Sequence, residues 1–113
     1  MNKIRVAGIQ IATGRNKGKN IEKALHFLDC LAKNRQNPDL ICLPEMFTFV
    51  PLPSDSASIS QKIAEKVPSK FTEQLGRKAR KLNSYLVSGS FVENRGGEFF
   101  NTSLLFDRKG YMV

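Results

Sequence analysis

One histidine, two cysteines and no long apolar run are the scarcities of this 113-residue sequence. With His26 alone, no catalytic pair or metal site needing a second imidazole can be built, and its place between Leu25 and Phe27 reads as an ordinary helix position. Cys30 and Cys42 are twelve residues apart with no CxxC spacing. They read as reduced core thiols of a cytoplasmic protein, not as a disulfide framework or a zinc site. No apolar run exceeds five or six residues, whereas a membrane helix needs about eighteen or more. The first ten residues place two cations before an apolar segment, as signal peptides do, but Gln10 interrupts it and no small-x-small cleavage site follows. Acidic residues are scarce too: ten against eighteen Lys and Arg leave a net charge of +8. Low-complexity tracts are absent, and 41% hydrophobic with 25% charged residues fits a folded globular chain. At this length it holds one domain at most.

The apolar pattern is that of an α/β protein. Residues 4–12 are nearly all apolar, as in a strand covered on both faces. After a polar loop at 13–19, Asn20 offers an N-cap oxygen, and Ile21, Ala24, Leu25, Leu28, Leu31 and Ala32 form one helical stripe. Lys33 and Arg35 suit a helix C-terminus, and Asn37-Pro38 ends the element. Residues 39–43 form a second buried strand, so a parallel βαβ unit is expected. A Pro/Ser-rich loop over 48–58 is long enough to suggest a place near a site. A short helix is expected within 59–67. Ser69 caps a second long helix with Phe71, Leu75, Ala79 and Leu82 on its buried face, and Gly76 inside it suggests a close packing approach. A third strand is expected over 85–92, a fourth near 100–106, and the start of a fifth at Tyr111.

Candidate sites are few. The loop from Gly14 to Asn20 follows a strand and precedes a helix, the setting of a phosphate-binding loop. It has three residues where that motif needs four before Gly-Lys, and Asn20 replaces the metal-holding hydroxyl, so it reads as a solvated loop. Arg77, Lys78, Arg80 and Lys81 concentrate positive charge, yet no aromatic residues interleave to stack bases, and a solvated helix face explains them. Neither nucleic acid nor membrane is an expected partner, and no cofactor or metal is expected. Cys42 in a buried strand is an inert thiol. Glu45 differs: it follows the second strand at the carboxyl edge where open α/β sheets place ligands. Partial burial by Met46 and Phe47 would favour a general base there.

Around Leu43-Pro44-Glu45-Met46-Phe47 the chain resembles the carbon–nitrogen hydrolase (nitrilase/amidase) superfamily. The resemblance rests on an ordered set: Arg5 to Gln10, Asn20 to Ala24, Pro38 to Glu45, Gly89 to Glu93, Asn101 to Phe106 and Asp107 to Gly110. It implies an α-β-β-α sandwich, of which residues 1–113 are an N-terminal part ending inside the fifth strand, and a Glu-Lys-Cys triad acting through a thioester acyl-enzyme. Glu45 matches the general base; Phe47 is a candidate substrate contact; Gly89-Ser90 and Asn101-Thr102 match positions read as structural. The family's lysine and cysteine fall beyond Val113, and neither Lys109 nor Cys42 fits their roles. The resemblance therefore implies small amide or nitrile substrates and a homo-oligomer for the complete enzyme, with this chain alone inactive and poorly soluble. A second reading is a non-enzymatic half-fold that binds a partner through its basic surface.

Overall fold

The computed structural model describes residues 2–113. Three strands, β1 (Val6–Gly8), β2 (Leu40–Cys42) and β3 (Tyr85–Val87), run parallel, and β6 (Leu105–Phe106) joins β3 antiparallel, giving the order β1-β2-β3-β6. Helix α1 (Lys17–Lys33) links β1 to β2, and α2 (Ile59–Ile63) with α3 (Lys70–Leu82) links β2 to β3. The expected parallel βαβ unit is thus present. A separate two-stranded sheet pairs β4 (Phe91–Arg95) with β5 (Glu98–Thr102), its turn closed by the Gly97 N–H donating to Asn94 Oδ1 at 2.9 Å.

Register sorts the sheet into two faces, because successive strand residues point to opposite sides. The row Ala7, Ile41, Leu86, Phe106 faces α1 and α3, and Ile41, Leu86 and Phe106 are buried with Ala24, Leu28, Leu75, Ala79 and Leu82 in one core. The opposite rows are Val6, Leu40, Tyr85 and Gly8, Cys42, Val87, Leu105. Val6, Tyr85 and Leu105 are exposed there, so the first strand is not covered on both faces in this chain. It is also three residues long rather than nine. Cys42 shares that open face and is half-buried, so the expected fully buried thiol is corrected.

The helix starts follow local capping chemistry. Helix α1 begins four residues before the expected cap: Asn16, in extended conformation, accepts the Lys19 N–H at 3.0 Å, and Lys17-Gly18-Lys19 forms the first turn. Asn20 therefore sits inside the helix and is buried, in phase with Ala24 and Leu28. The C-terminus closes as a Schellman motif, with Gln36 N–H on Leu31 O and Arg35 N–H on Ala32 O; Arg35 takes the left-handed conformation usually given to glycine. Helix α3 starts at Ser69 as expected, through a reciprocal box in which Ser69 Oγ accepts the Thr72 N–H and Thr72 Oγ1 accepts the Ser69 N–H. Its predicted face, Phe71, Leu75, Ala79 and Leu82, is buried throughout.

Two expected strands each divide. The third breaks at Ser88-Gly89-Ser90, where Gly89 takes φ of +65° and carries the chain from one sheet to the other. The fourth becomes β5 and β6, split at Ser103-Leu104. Tyr111 to Val113, read as a fifth strand, makes only an antiparallel bridge from Met112 to Phe106. Both breaks fall at small polar residues, Ser88-Gly89-Ser90 and Thr102-Ser103, but apolar residues resume on either side, so periodicity alone did not show the change of sheet.

Gly76 does permit a close approach. A Cβ there would lie 2.6 Å from the Gly110 carbonyl oxygen, and one on Gly110 would lie 2.5 Å from the Gly76 oxygen. Helix propensity alone would make Gly76→Ala stabilising by about 1 kcal/mol. Backbone offers no flexible atom to yield, so we expect net destabilisation of about 1–3 kcal/mol, the range of overpacked sites. A lower urea midpoint for Gly76→Ala, with Arg77→Ala near neutral, is the expected result; a raised midpoint would contradict the close approach.

Candidate functional site

Strand β2 lies inside the sheet, between β1 and β3, and the chain leaves its carboxyl end as Leu43-Pro44 and turns over residues 45–48. That edge is where open α/β sheets bind ligands. Of residues 44–48 only Glu45 is exposed. The expected partial burial by Met46 and Phe47 is therefore corrected: Phe47 turns into the core rather than over the carboxylate. Phe47 is 0% exposed and stacks at a tilt on Phe71, ring centroids 5.9 Å apart. It has no surface to offer a ligand, so its expected role as a substrate contact is corrected to that of an anchor for the turn.

Three further contacts pin the turn. Asn20, buried in α1, donates from Nδ2 to Thr48 O and to Gly14 O, each at 2.9 Å, while its Oδ1 accepts the Gly14 N–H. One side chain thus ties the β1–α1 loop to the end of the Glu45 turn. On the other side, Ser90 Oγ accepts the Met46 N–H at 2.9 Å, and Gly89 lies so close to Pro44 that a Cβ would overlap its carbonyl oxygen. Sequence reading missed Asn20 in this role by treating it as a cap. The available signal was its phase: a polar residue four before Ala24 and eight before Leu28 lies on the buried stripe.

The Pro/Ser-rich loop after the turn is fastened by Arg15. Its guanidinium donates to both Asp55 oxygens at 2.6 and 2.7 Å and to Val50 O at 2.7 Å, and it lies 4.5 Å from the Phe49 ring centroid. The Arg15 bond, with the Leu52 N–H behind it, holds the Asp55 carboxyl down at about 2 and raises Arg15 in turn. Lys17 reaches Glu65 Oε1 at 2.5 Å. Arg15 and Lys17 are therefore engaged with carboxylates of this chain, while Lys19 is exposed in the first turn of α1. On α3, Lys78 pairs with Asp29 at 2.5 Å, and Arg77, Arg80 and Lys81 are exposed, the solvated face that was expected.

A second carboxylate, Glu93 on β4, is buried. The Thr102 hydroxyl donates to it at 2.7 Å and holds its carboxyl below the usual range; burial opposes this, and Arg95 at 3.1 Å assists. Of the Asn101-Thr102 pair read as structural, Thr102 thus joins β5 to β4 through its hydroxyl, while Asn101 is exposed. A cavity of about 700 Å³ lies beside Glu93 and is lined by Lys66, Val67 and residues 93–97, with no residue of the Glu45 turn. Lys109 is exposed in the turn after β6, its N–H on Asp107 Oδ1, and Cys42 lies within β2.

The parallel order β1-β2-β3 with α1 and α3 on one face is the layout of an α/β chain of the nitrilase fold, with Glu45 exposed on a pinned turn beyond β2. Residues 4–113 match the carbon-nitrogen hydrolase family model, and the chain belongs to that family. Nitrilase homolog 2 of Dictyostelium discoideum is 32% identical over 96% of this chain and 32% of its own length. Omega-amidase NIT2 of Danio rerio is 30% identical over the whole chain and 39% of its own length. The chain therefore spans about two-fifths or less of these relatives. Nit3 of Saccharomyces cerevisiae, a solved member of the nitrilase superfamily, superposes with a TM-score of 0.79 at 25% identity, covering 97% of this chain and 42% of that one.

Two outcomes test this geometry. Asn20→Ala removes the Asn20 donor from the buried Thr48 carbonyl and the Asn20 acceptor from the half-buried Gly14 N–H, and is expected to cost about 1–3 kcal/mol in denaturant unfolding; an unchanged midpoint would contradict the role of Asn20 in tying the two loops together. Asp55 titrates lower folded than unfolded, so its contribution is full above the unfolded value near ~4 and is lost as pH falls toward about 2. The 49–58 loop should thus become cleavable by pepsin between those values. Asp55→Asn should be cleaved already at the upper end, and equal resistance of the variant and the native chain there would contradict the clip.

Proposed function

We propose that this chain is the N-terminal part of a carbon–nitrogen hydrolase domain that cleaves non-peptide C–N bonds, with Glu45 as its general base. The observation that carries the reading is Glu45 itself, held out on a fixed turn at the carboxyl end of β2. In the chemistry that the family resemblance implies, the carboxylate takes the proton of a cysteine thiol, and the thiolate attacks the carbonyl carbon of an amide. A lysine ammonium stabilises the oxyanion. Expulsion of ammonia, protonated by the acid form of the glutamate, leaves a thioester; water, deprotonated by the same group, then releases the acid and restores the thiol. Omega-amidase relatives favour a terminal carboxamide of a small molecule over a nitrile.

Cys42 and Lys109 do not supply the missing groups: one is part of a strand and the other belongs to a distant turn of the chain. The 113-residue chain alone is accordingly expected to be inactive, and its open apolar face to limit its solubility. The active form would combine it with a segment carrying the lysine and the cysteine, in a homo-oligomer. The basic face of α3 gives no comparable support to a partner-binding module, since Lys78 is already paired within the chain.

Ammonia release from terminal carboxamides tests the reading. We expect none from the purified chain. Fusion to the remaining part of the Danio rerio omega-amidase should produce turnover, and Glu45→Gln should lower kcat in that fusion by about 10²–10⁴, the usual worth of a general base. Cysteine-dependent turnover by the chain alone would overturn its inactivity, and an active fusion indifferent to Glu45→Gln would overturn the base assignment.

A further inference from the structure

The link between β3 and β4 passes directly behind the Glu45 turn. Its Ser90 Oγ accepts the Met46 N–H at 2.9 Å, its Ser90 N–H approaches the Pro44 carbonyl at 3.4 Å, and Gly89 occupies space that no side chain could share with the Leu43 and Pro44 carbonyls. Met46 is held at φ of +47°, a left-handed conformation that L-residues rarely adopt. Such a conformation persists where its surroundings over-determine it. Here the neighbours on both sides do so: Phe47 is locked in the core, Thr48 O is held by Asn20, and the Met46 amide is held by Ser90. Glu45 is the residue whose backbone direction this arrangement sets.

We propose that Ser90 is a positioning residue for Glu45, its hydroxyl fixing the Met46 amide so that the carboxylate is presented in one direction before any substrate arrives. This rests on the assignment of Glu45 as the base. Catalysis by an oriented group loses rate steeply with small misplacement, so a turn free to relax would weaken the base without removing it. Two residues away the same chemistry occurs without a carboxylate: Ser88 Oγ accepts the Leu104 N–H at 2.8 Å, and Ser88 is also buried. Ser88 is therefore an internal comparison, a hydroxyl–amide bond of equal kind that ties β3 to the segment before β6.

The test uses the full 113-residue chain labelled with ¹³C at the glutamate carboxyls, with amide hydrogen exchange followed in parallel. In the native chain the Met46 amide is expected to be protected, and an unprotected Met46 overturns the proposal before any substitution is made. Ser90→Ala should speed Met46 exchange about tenfold, as loss of one buried hydrogen bond implies, and should move the Glu45 carboxyl resonance, assigned through Glu45→Gln. Leu104 exchange should stay as it was. Ser88→Ala should do the reverse, and Ser90→Thr, which keeps the hydroxyl, should restore both signals. A Ser90→Ala chain with Met46 and Glu45 unmoved, or a Ser88→Ala chain that moves Glu45 equally, overturns the assignment. Neither signal needs turnover, so a failed Glu45→Gln activity test would refute the base while leaving the Ser90 result to be read on its own.

Discussion

The close approach of Gly89 to Pro44 is the constraint on which the site depends. Strands β2 and β3 are parallel neighbours, so their chains leave the sheet side by side at the same edge. Leu43 N–H still bonds Val87 O at that point, keeping the two chains at ladder spacing one residue past β2. From there one chain must turn outward with Glu45 and the other must cross to a second sheet. Both turns fit in one place only if a residue of the crossing chain has no Cβ and can adopt positive φ, and Gly89 does both. The same glycine thus separates β3 from β4 and brings Ser90 against the Met46 amide.

Much of this was legible in the sequence, and the limits have physical causes. Helix α3 was readable because its cap, apolar face and end all agree with the local chemistry of Ser69, Phe71, Leu75, Ala79 and Leu82. The parallel order of β1 and β2 followed from a helix of adequate length between two apolar runs. The position of Glu45 on the turn after β2 was readable from the strand ending at Leu43-Pro44. The start of α1 was misplaced because Asn16 and Asn20 are both plausible caps, and only tertiary structure shows Asn20 pointing into the Gly14–Thr48 gap. Phe47 looked like a site residue because it adjoins Glu45; which way its ring turns is settled by the Phe71 ring in the core, 24 residues further along the chain and outside what a local pattern encodes. The breaks inside the third and fourth strands were hidden for a similar reason: Leu86, Val87, Phe91 and Val92 are apolar on both sides of a change of sheet.

The open sheet face gives the charge and length of the chain their structural context. Val6, Tyr85 and Leu105 form an apolar surface on the side away from α1 and α3. In the four-layer sandwich that the family resemblance implies, a sheet of this kind has a second sheet against it, and the matched relatives have more than half of their length outside the region shared with this chain. The net charge of +8 is drawn largely from exposed cations on the opposite, helical side. Charge and apolar surface are thus segregated to different layers, which suits burial of one face and hydration of the other.

Glu45 and Glu93 show why a perturbed, buried carboxylate beside a cavity is the weaker candidate here. Thr102 and Arg95 donate to Glu93 and stabilise its charged form, as the downward displacement of its carboxyl records. A base stabilised in that way gains little by taking a proton near neutral pH, since proton transfer is most effective when the acceptor's affinity is matched to the operating pH. Glu93 also bridges two strands, so protonating it would loosen the β4–β5 pair. Among the described residues, carboxylates pair with cations at Asp29, Asp39, Asp55, Glu65 and Glu93, and none does so at Glu45. Its backbone is fixed by the Ser90 and Asn20 contacts while, among the described residues, no cation pairs with its carboxylate, so an approaching group would meet a carboxylate already presented and not yet neutralised.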